Sequence, residues 1–203
     1  MKYAPALLLS AAALSASLST QAANYTQVQV GGGAIYYGLY QRDQDFKSAV
    51  KSEQRTQPTV SLQISGQVTE RSQRLWFDMF LQQADSSHAE FQVGNEQSTH
   101  EVGATVFGMG GRLMILPGYS FSPYVKAGGF AAKWTGTETT KNTATNTTSK
   151  ESLSSNDKGY YVGGGVMQRV NLANSLTLDY AGYKANDFNN FQHNIQLGWV
   201  FHF

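Results

Sequence analysis

The chain has no cysteine, which excludes disulfide stapling and thiolate metal sites. Proline is scarce (4), and lysine plus arginine (15) nearly cancel aspartate plus glutamate (14). With no basic excess and no basic stripe, nucleic acid is not an expected partner. Beyond the amino-terminal segment no apolar run approaches the ~20 residues of a membrane-spanning helix, so any membrane crossing must be made by strands. The four histidines, His88, His100, His193 and His202, show no metal-ligand spacing such as His-x-x-x-His. No phosphate-binding loop is present either, because Gly31-Gly32-Gly33 and Gly163-Gly164-Gly165 sit inside alternating segments, where glycine permits close packing or bending. No cofactor and no metal are expected. Glycine (20), tyrosine (11) and phenylalanine (11) are abundant instead, which suits strands and tight turns.

The amino-terminal segment has the layout of a secretory signal. Met1-Lys2 supplies a positive charge, Ala4 to Leu14 is apolar except at Pro5 and Ser10, and Ser15 to Ala23 is small and polar. Thr20 and Ala22 occupy the −3 and −1 positions for cleavage after Ala22. The apolar run is about half the length of a membrane anchor, and no cysteine follows it to carry a lipid. The expected division is a signal peptide over 1–22 and one exported domain over 23–203, with a net charge near zero once Lys2 is removed.

Between Gln27 and Phe203 the chain alternates apolar and polar residues in eight segments. The first, Gln27 to Gln41, sets Val28, Val30, Ala34, Tyr36 and Tyr40 against Gln27, Gln29 and Gln41. Pro58 to Val68 sets Val60, Leu62 and Ile64 against Ser61, Gln63 and Ser65, and Gln73 to Gln83 sets Leu75, Phe77, Met79 and Leu81 against Arg74, Trp76, Asp78 and Phe80. In His100 to Leu116, Phe107, Met109, Leu113 and Ile115 share one face and Arg112 the other, a parity that a bulge at Gly110-Gly111 would change. In Pro123 to Thr135, Val125 and Ala127 oppose Lys126, and a bulge at Gly128-Gly129 would bring Phe130, Ala132 and Trp134 to the outside. Lys158 to Val170, Ser175 to Lys184 and Phe191 to Phe203 complete the set. The connections alternate in length. The polar stretches Arg42 to Gln57, Ala84 to Thr99, Gly136 to Asp157 and Ala185 to Asn190 fall on one rim, and three tight turns fall on the other. Gly136 to Asp157, rich in Thr, Ser and Asn, reads as a mobile loop.

The last strand is the most telling. Ile195, Leu197, Trp199, Phe201 and Phe203 form one apolar face ending in an aromatic terminus. A row of this kind invites association in water, whereas a strand facing lipid requires it. The segment resembles the closing strand of bacterial outer-membrane β-barrels, and the mature chain resembles the small OmpA/OmpX-type barrels. The resemblance implies an all-β, eight-stranded antiparallel up-and-down transmembrane barrel in the outer membrane of a Gram-negative bacterium. It further implies a monomer bathed in outer-membrane lipid and lipopolysaccharide, and a terminal strand read by the barrel-assembly machinery. Tyr36, Tyr40, Trp134, Tyr160, Trp199 and Phe201 lie where aromatic girdles belong.

Eight strands leave an interior just wide enough to be filled by side chains. Arg74, Asp78, Arg112, Lys126, Arg169 and Asp179 are the charges expected inside, either as a salt-bridged plug or, given the cation excess, as a narrow anion-preferring path. A plug is favoured by the bulky Trp76, Phe80 and Tyr161 on the same face. Some small outer-membrane barrels are lipid-modifying enzymes that need a serine beside an oriented histidine. Here only Asp85-Ser86-Ser87-His88 gathers those residue types, and such clusters are ordinary turn chemistry. The expectation is a non-enzymatic barrel with a structural role or with loops that contact a host or surface ligand, including the charged Asp43 to Arg55.

Overall fold

Period-two alternation produces nine antiparallel strands among the residues described in this computed structural model, namely 26–36, 50–53, 56–69, 72–186 and 191–203. They are β1 (Thr26–Tyr36), β2 (Val50–Glu53), β3 (Thr56–Thr69), β4 (Ser72–Val93), β5 (Glu96–Met114), β6 (Phe121–Asn142), β7 (Thr147–Arg169), β8 (Asn174–Ala185) and β9 (Gln192–His202). All except the short β2 pair with both neighbours in a closed ring of eight, sealed where β1 meets β9 from Gln27↔His202 to Tyr36↔His193. Closure is what permits strands in lipid, since it leaves no ladder groups at an open edge.

The ring is staggered. From Tyr36 the pairings lead through His193, Gly182, Val162, Ala127, Gly111, Phe77 and Gly66, and re-enter β1 ten residues lower at Thr26. A shear of ten over eight strands belongs to a barrel whose strands tilt by about 35–45°. The outward positions form the apolar belt: Leu75, Phe77, Met79, Leu81, Phe107, Met109, Leu113 and Val125 are exposed on one side, and Leu176, Leu178, Ile195, Leu197 and Trp199 on the other.

Pairing through Gly110-Gly111 and Gly128-Gly129 is continuous, so neither bulge forms. Phe130, Ala132 and Trp134 therefore stay buried inside, and Trp134 is not a girdle residue. The one register shift in β4–β5 lies between Ala84 and Ser87.

Two expected loops are strands. β4 and β5 run as 22 and 19 residues, and β6 and β7 as 22 and 23, where ~9–11 suffice to cross a membrane. The stretches 84–99 and 136–157 are thus mostly the upper halves of two hairpins, turning at Gly94 (φ 59°) and Asn146 (φ 53°). The reason is local. Thr and Ser rows bury little, but β-branched threonines suit a pleated ladder, and neighbours such as Thr139↔Lys150 and Ser98↔Thr140 satisfy one another's backbones. The two hairpins are joined at their tips, where Thr143 N–H donates to Asn95 O at 2.8 Å. β2 adds to the outer edge of β4 beside Ala89–Phe91. Tyr40 and most of Asp43 to Arg55 lie outside the described residues, as do the signal segment and Ala22.

The opposite rim is tight. Ser122 Oγ donates to Leu116 O and Tyr119 O (2.8 and 3.0 Å), and Val170 and Asn171 donate to Asn174 O. Long hairpins on one side and short turns on the other orient the barrel, with the long side extracellular.

Candidate functional site

The lumen is packed in layers by side chains of inward parity. In the lower layer Arg112 and Asp78, each 1% exposed, face each other with Nη2–Oδ1 at 3.3 Å. Arg112 Nη2 also donates to Gln27 Oε1 at 2.8 Å, and its guanidinium lies 5.5 and 5.3 Å from the ring centres of Trp76 and Tyr124. Beside this pair, Asp179 gathers three donors: Lys126 Nζ at 2.7 Å, Tyr124 OH at 2.6 Å and Gln29 Nε2 at 3.0 Å. Charges removed from water need such partners, because an isolated one costs several kcal/mol.

Above the ionic layer the bore is closed by rings. Phe80 meets Tyr161 edge-on at 5.3 Å and Tyr183 at 6.2 Å, and Phe130 meets Tyr183 at 5.4 Å. Glycines on the wall make the room. A Cβ on Gly108 would strike the Phe80 ring, and one on Gly110 would lie 2.5 Å from Tyr161 OH. Next comes an amide layer, in which Gln82 Oε1 accepts from Tyr183 OH (3.2 Å) and Asn194 Nδ2 (3.1 Å), and Gln196 Oε1 accepts from Ser61 Oγ (3.1 Å). Ile35, Ala84, Ala104, Ala132 and Trp134 cap the bore.

Of the six charges expected inside, Asp78, Arg112 and Asp179 are buried and Lys126 is half-buried, whereas Arg74 and Arg169 are exposed. Their parity is inward, but both stand near strand ends, where a long cationic stem reaches water. Arg169 lines a cavity of about 560 Å³ at the turn-side mouth with Gln27, Trp76, Met167, Ser175 and His202. The interior charges therefore balance two against two, and the expected cation excess sits at the rim. Gln27 and Gln29 lie on the inner face, as the alternation of the first segment places them; Gln82 and Tyr124 join them by the same inward parity, with no other signal in the sequence to mark them.

The Asp85-Ser86-Ser87-His88 quartet does not converge. Ser87 is buried with its hydroxyl donating to Val102 O, while His88 projects outward toward Glu90 (3.2 Å) and Glu101 (3.8 Å). His193 stacks outside on Tyr180, their Nδ1 and OH 2.6 Å apart. His202 is bonded to Ser175 Oγ at 2.7 Å and Gln27 Nε2 at 3.3 Å. Among the described residues no group of three His, Asp or Glu could hold a metal ion.

The second feature is the four-stranded sheet that β4–β7 raise above the ring. One edge is partly covered by β2. On the other, β8 pairs with β7 only up to Gly159↔Ala185, and among the described residues no strand pairs with Thr147–Asp157 on that side.

A closed antiparallel ring of eight with a lipid-facing apolar belt and a packed interior defines a small transmembrane β-barrel. A family model described as the outer membrane protein beta-barrel domain matches residues 6–203, and the chain belongs to that family and to the bacterial outer membrane. Solved structures similar to it include the attachment invasion locus protein Ail of Yersinia pestis (TM-score 0.54, 11% identity, 90% of this chain and 100% of that one). The N-terminal β-barrel domain of Pseudomonas aeruginosa OprF is similar at TM-score 0.54 and 14% identity, covering 90% and 100%. Neisserial surface protein A is similar at TM-score 0.51 and 11% identity, covering 89% and 98%. At such identities the likeness is one of fold. No curated protein matches the chain.

Proposed function

We propose that this protein is a non-enzymatic surface-interaction barrel, in which a sealed lumen anchors a protruding sheet and the free edge of β7 pairs with an extended segment of a partner polypeptide. The edge from Thr147 to Asp157, on which no strand pairs among the described residues, carries this reading. Unpaired edge strands are templates for strand addition, and proteins that do not use them blunt them with proline or bulges. This edge has no proline and no register shift in its pairing with β6. Lys158 O accepts from Asn186 N on the β8 side, so its even-numbered neighbours Ser152, Ser154 and Asn156 aim their backbone groups at the open side. A partner strand would take its main-chain bonds there.

Ail of Yersinia pestis has been solved with the heparin analogue sucrose octasulfate. The inner face of the sheet here carries Glu96, Glu138 and Glu151, which suits a peptide better than a sulfated saccharide. The row Ile195, Leu197, Trp199, Phe201 and Phe203 supports a second role for β9 as the segment met by the assembly machinery, and the 1–22 layout supports export with cleavage after Ala22.

Refolded barrel mixed with a library of extended peptides provides the test. Binding is expected to protect the amides of Ser152, Ser154 and Asn156 from hydrogen exchange and to be lost in Ser154→Pro, which removes an edge donor and leaves the β6 ladder whole. Peptide binding that ignores Ser154→Pro, or none at all, would refute the edge.

A further inference from the structure

The open edge of β7 carries an unbalanced charge on its inner face. Strand register sets His100 opposite Glu138, and Glu138 opposite Glu151. Glu138 is served from within the sheet: His100 Nε2 stands 3.2 Å from its Oε1, and Thr140 Oγ1 donates to the same oxygen at 3.5 Å. Glu151 has no such help. It is exposed, no cation or donor among the described residues engages its carboxylate, and like charges directly opposite one another repel. Its remaining flank is the open edge. Two residues on, Leu153 is half-buried beside Gly136, which has no side chain to set against it. On the outer face Lys150 lies opposite Thr139, and no ion pair among the described residues holds it.

The phase of the ladder decides which of these side chains an added strand would feel. Ser152 and Ser154 aim their backbone groups at the open side, so a residue opposite either of them joins a hydrogen-bonded pair. Positions opposite Glu151 and Leu153 are then non-hydrogen-bonded pairs, where Cα atoms approach to about 4.5 Å rather than about 5.5 Å and side chains lie closer. Selection therefore falls mainly on the inner face. The ledge ends at Asp157, whose Oδ1 takes the Lys158 N–H at 2.6 Å and so uses up the ladder donor next to the end of β8.

We infer that the β7 edge selects an antiparallel strand with the pattern aliphatic, any residue, Lys or Arg, then Asp or Glu. The aliphatic residue packs on Leu153, the cation faces Glu151 and the acid faces Lys150. The order follows from direction, since an antiparallel partner reaches Leu153 before Glu151. This selection rests on the strand addition proposed above and names which polypeptides the edge accepts. Exposed charge pairs contribute little singly, so three matched pairs together give a preference of about fivefold rather than an all-or-none choice.

The test compares two threonine-rich peptides of identical composition on the refolded full chain, by affinity and by hydrogen-exchange protection of Ser152 and Ser154. One carries Val-Thr-Lys-Glu at its centre and the other Val-Thr-Glu-Lys, which sets like charge against like at both Glu151 and Lys150. Wild type is expected to bind the first about fivefold more tightly. Glu151→Gln should shrink that preference, and the charge swap Lys150→Glu/Glu151→Lys should reverse it. Heat-modifiable gel mobility checks that each variant is folded, and the two peptides compared on wild type alone need no variant. Equal binding of both peptides, with the edge amides protected, would overturn the selection and leave strand addition standing. Protection by neither peptide, nor by an all-threonine one, would overturn strand addition and the selection with it. A preference that the charge swap fails to reverse would also overturn the pairing with Glu151 and Lys150.

Discussion

The lower ring and the upper sheet are built from the same strands but by different means. In the ring each strand has an apolar outer face and a buried inner face, where Arg112 stands against Asp78 and Phe80 meets Tyr161 edge-on. In the sheet both faces are polar, burial is shallow beyond Phe91 and Trp134, and order comes mainly from the ladder between hairpins. Side chains fill the ring, while the loosely buried sheet presents backbone and charge to the outside.

This contrast implies a gradient of sensitivity. The largest loss is expected from Arg112→Met, which leaves Asp78 buried without its cation; breaking such a pair costs about 3–5 kcal/mol, measurable by urea unfolding in lipid vesicles. A cost no larger than that of a surface change would mean that the ring interior is wet. Next is Gly108→Ala, whose Cβ would meet first the Phe80 ring. Overpacking of this kind costs about 1–3 kcal/mol, and Phe80→Leu in the same chain should recover most of it. If the pair is as unstable as the single variant, the aromatic layer is not what the glycine accommodates. The smallest effect is expected in the sheet. Ser154→Pro should change stability by less than about 0.5 kcal/mol while removing edge pairing, and a large destabilisation would show that the β7 edge is already occupied.

The same contrast decides what could be read in advance. In the ring the period is visible because one face is apolar: Leu75, Phe77, Met79 and Leu81 declare the outside and thereby place Trp76, Asp78 and Phe80 inside. In the sheet Thr137, Glu138, Thr139 and Thr140 show no polarity difference between faces, so strands there look like loop. Glycine pairs invited a bulge that side-chain packing makes unnecessary, because Tyr161 uses the space beside Gly110 and Gly128. Arg74 and Arg169 show that parity alone does not distinguish lumen from rim. The Arg112 and Asp179 networks draw partners from strands far apart in sequence, Gln27 and Gln29 among them, and only barrel closure brings these together.

Single-channel recording of the refolded protein in a planar bilayer tests most directly whether the ring is a sealed anchor. With folded protein confirmed by its gel shift, a sealed lumen predicts a silent membrane, in which neutralising Arg112 or Asp78 changes stability and opens no defined conductance. Reproducible conductance steps that shift when Arg112 or Asp78 is neutralised would contradict it, and would make the interior a hydrated path.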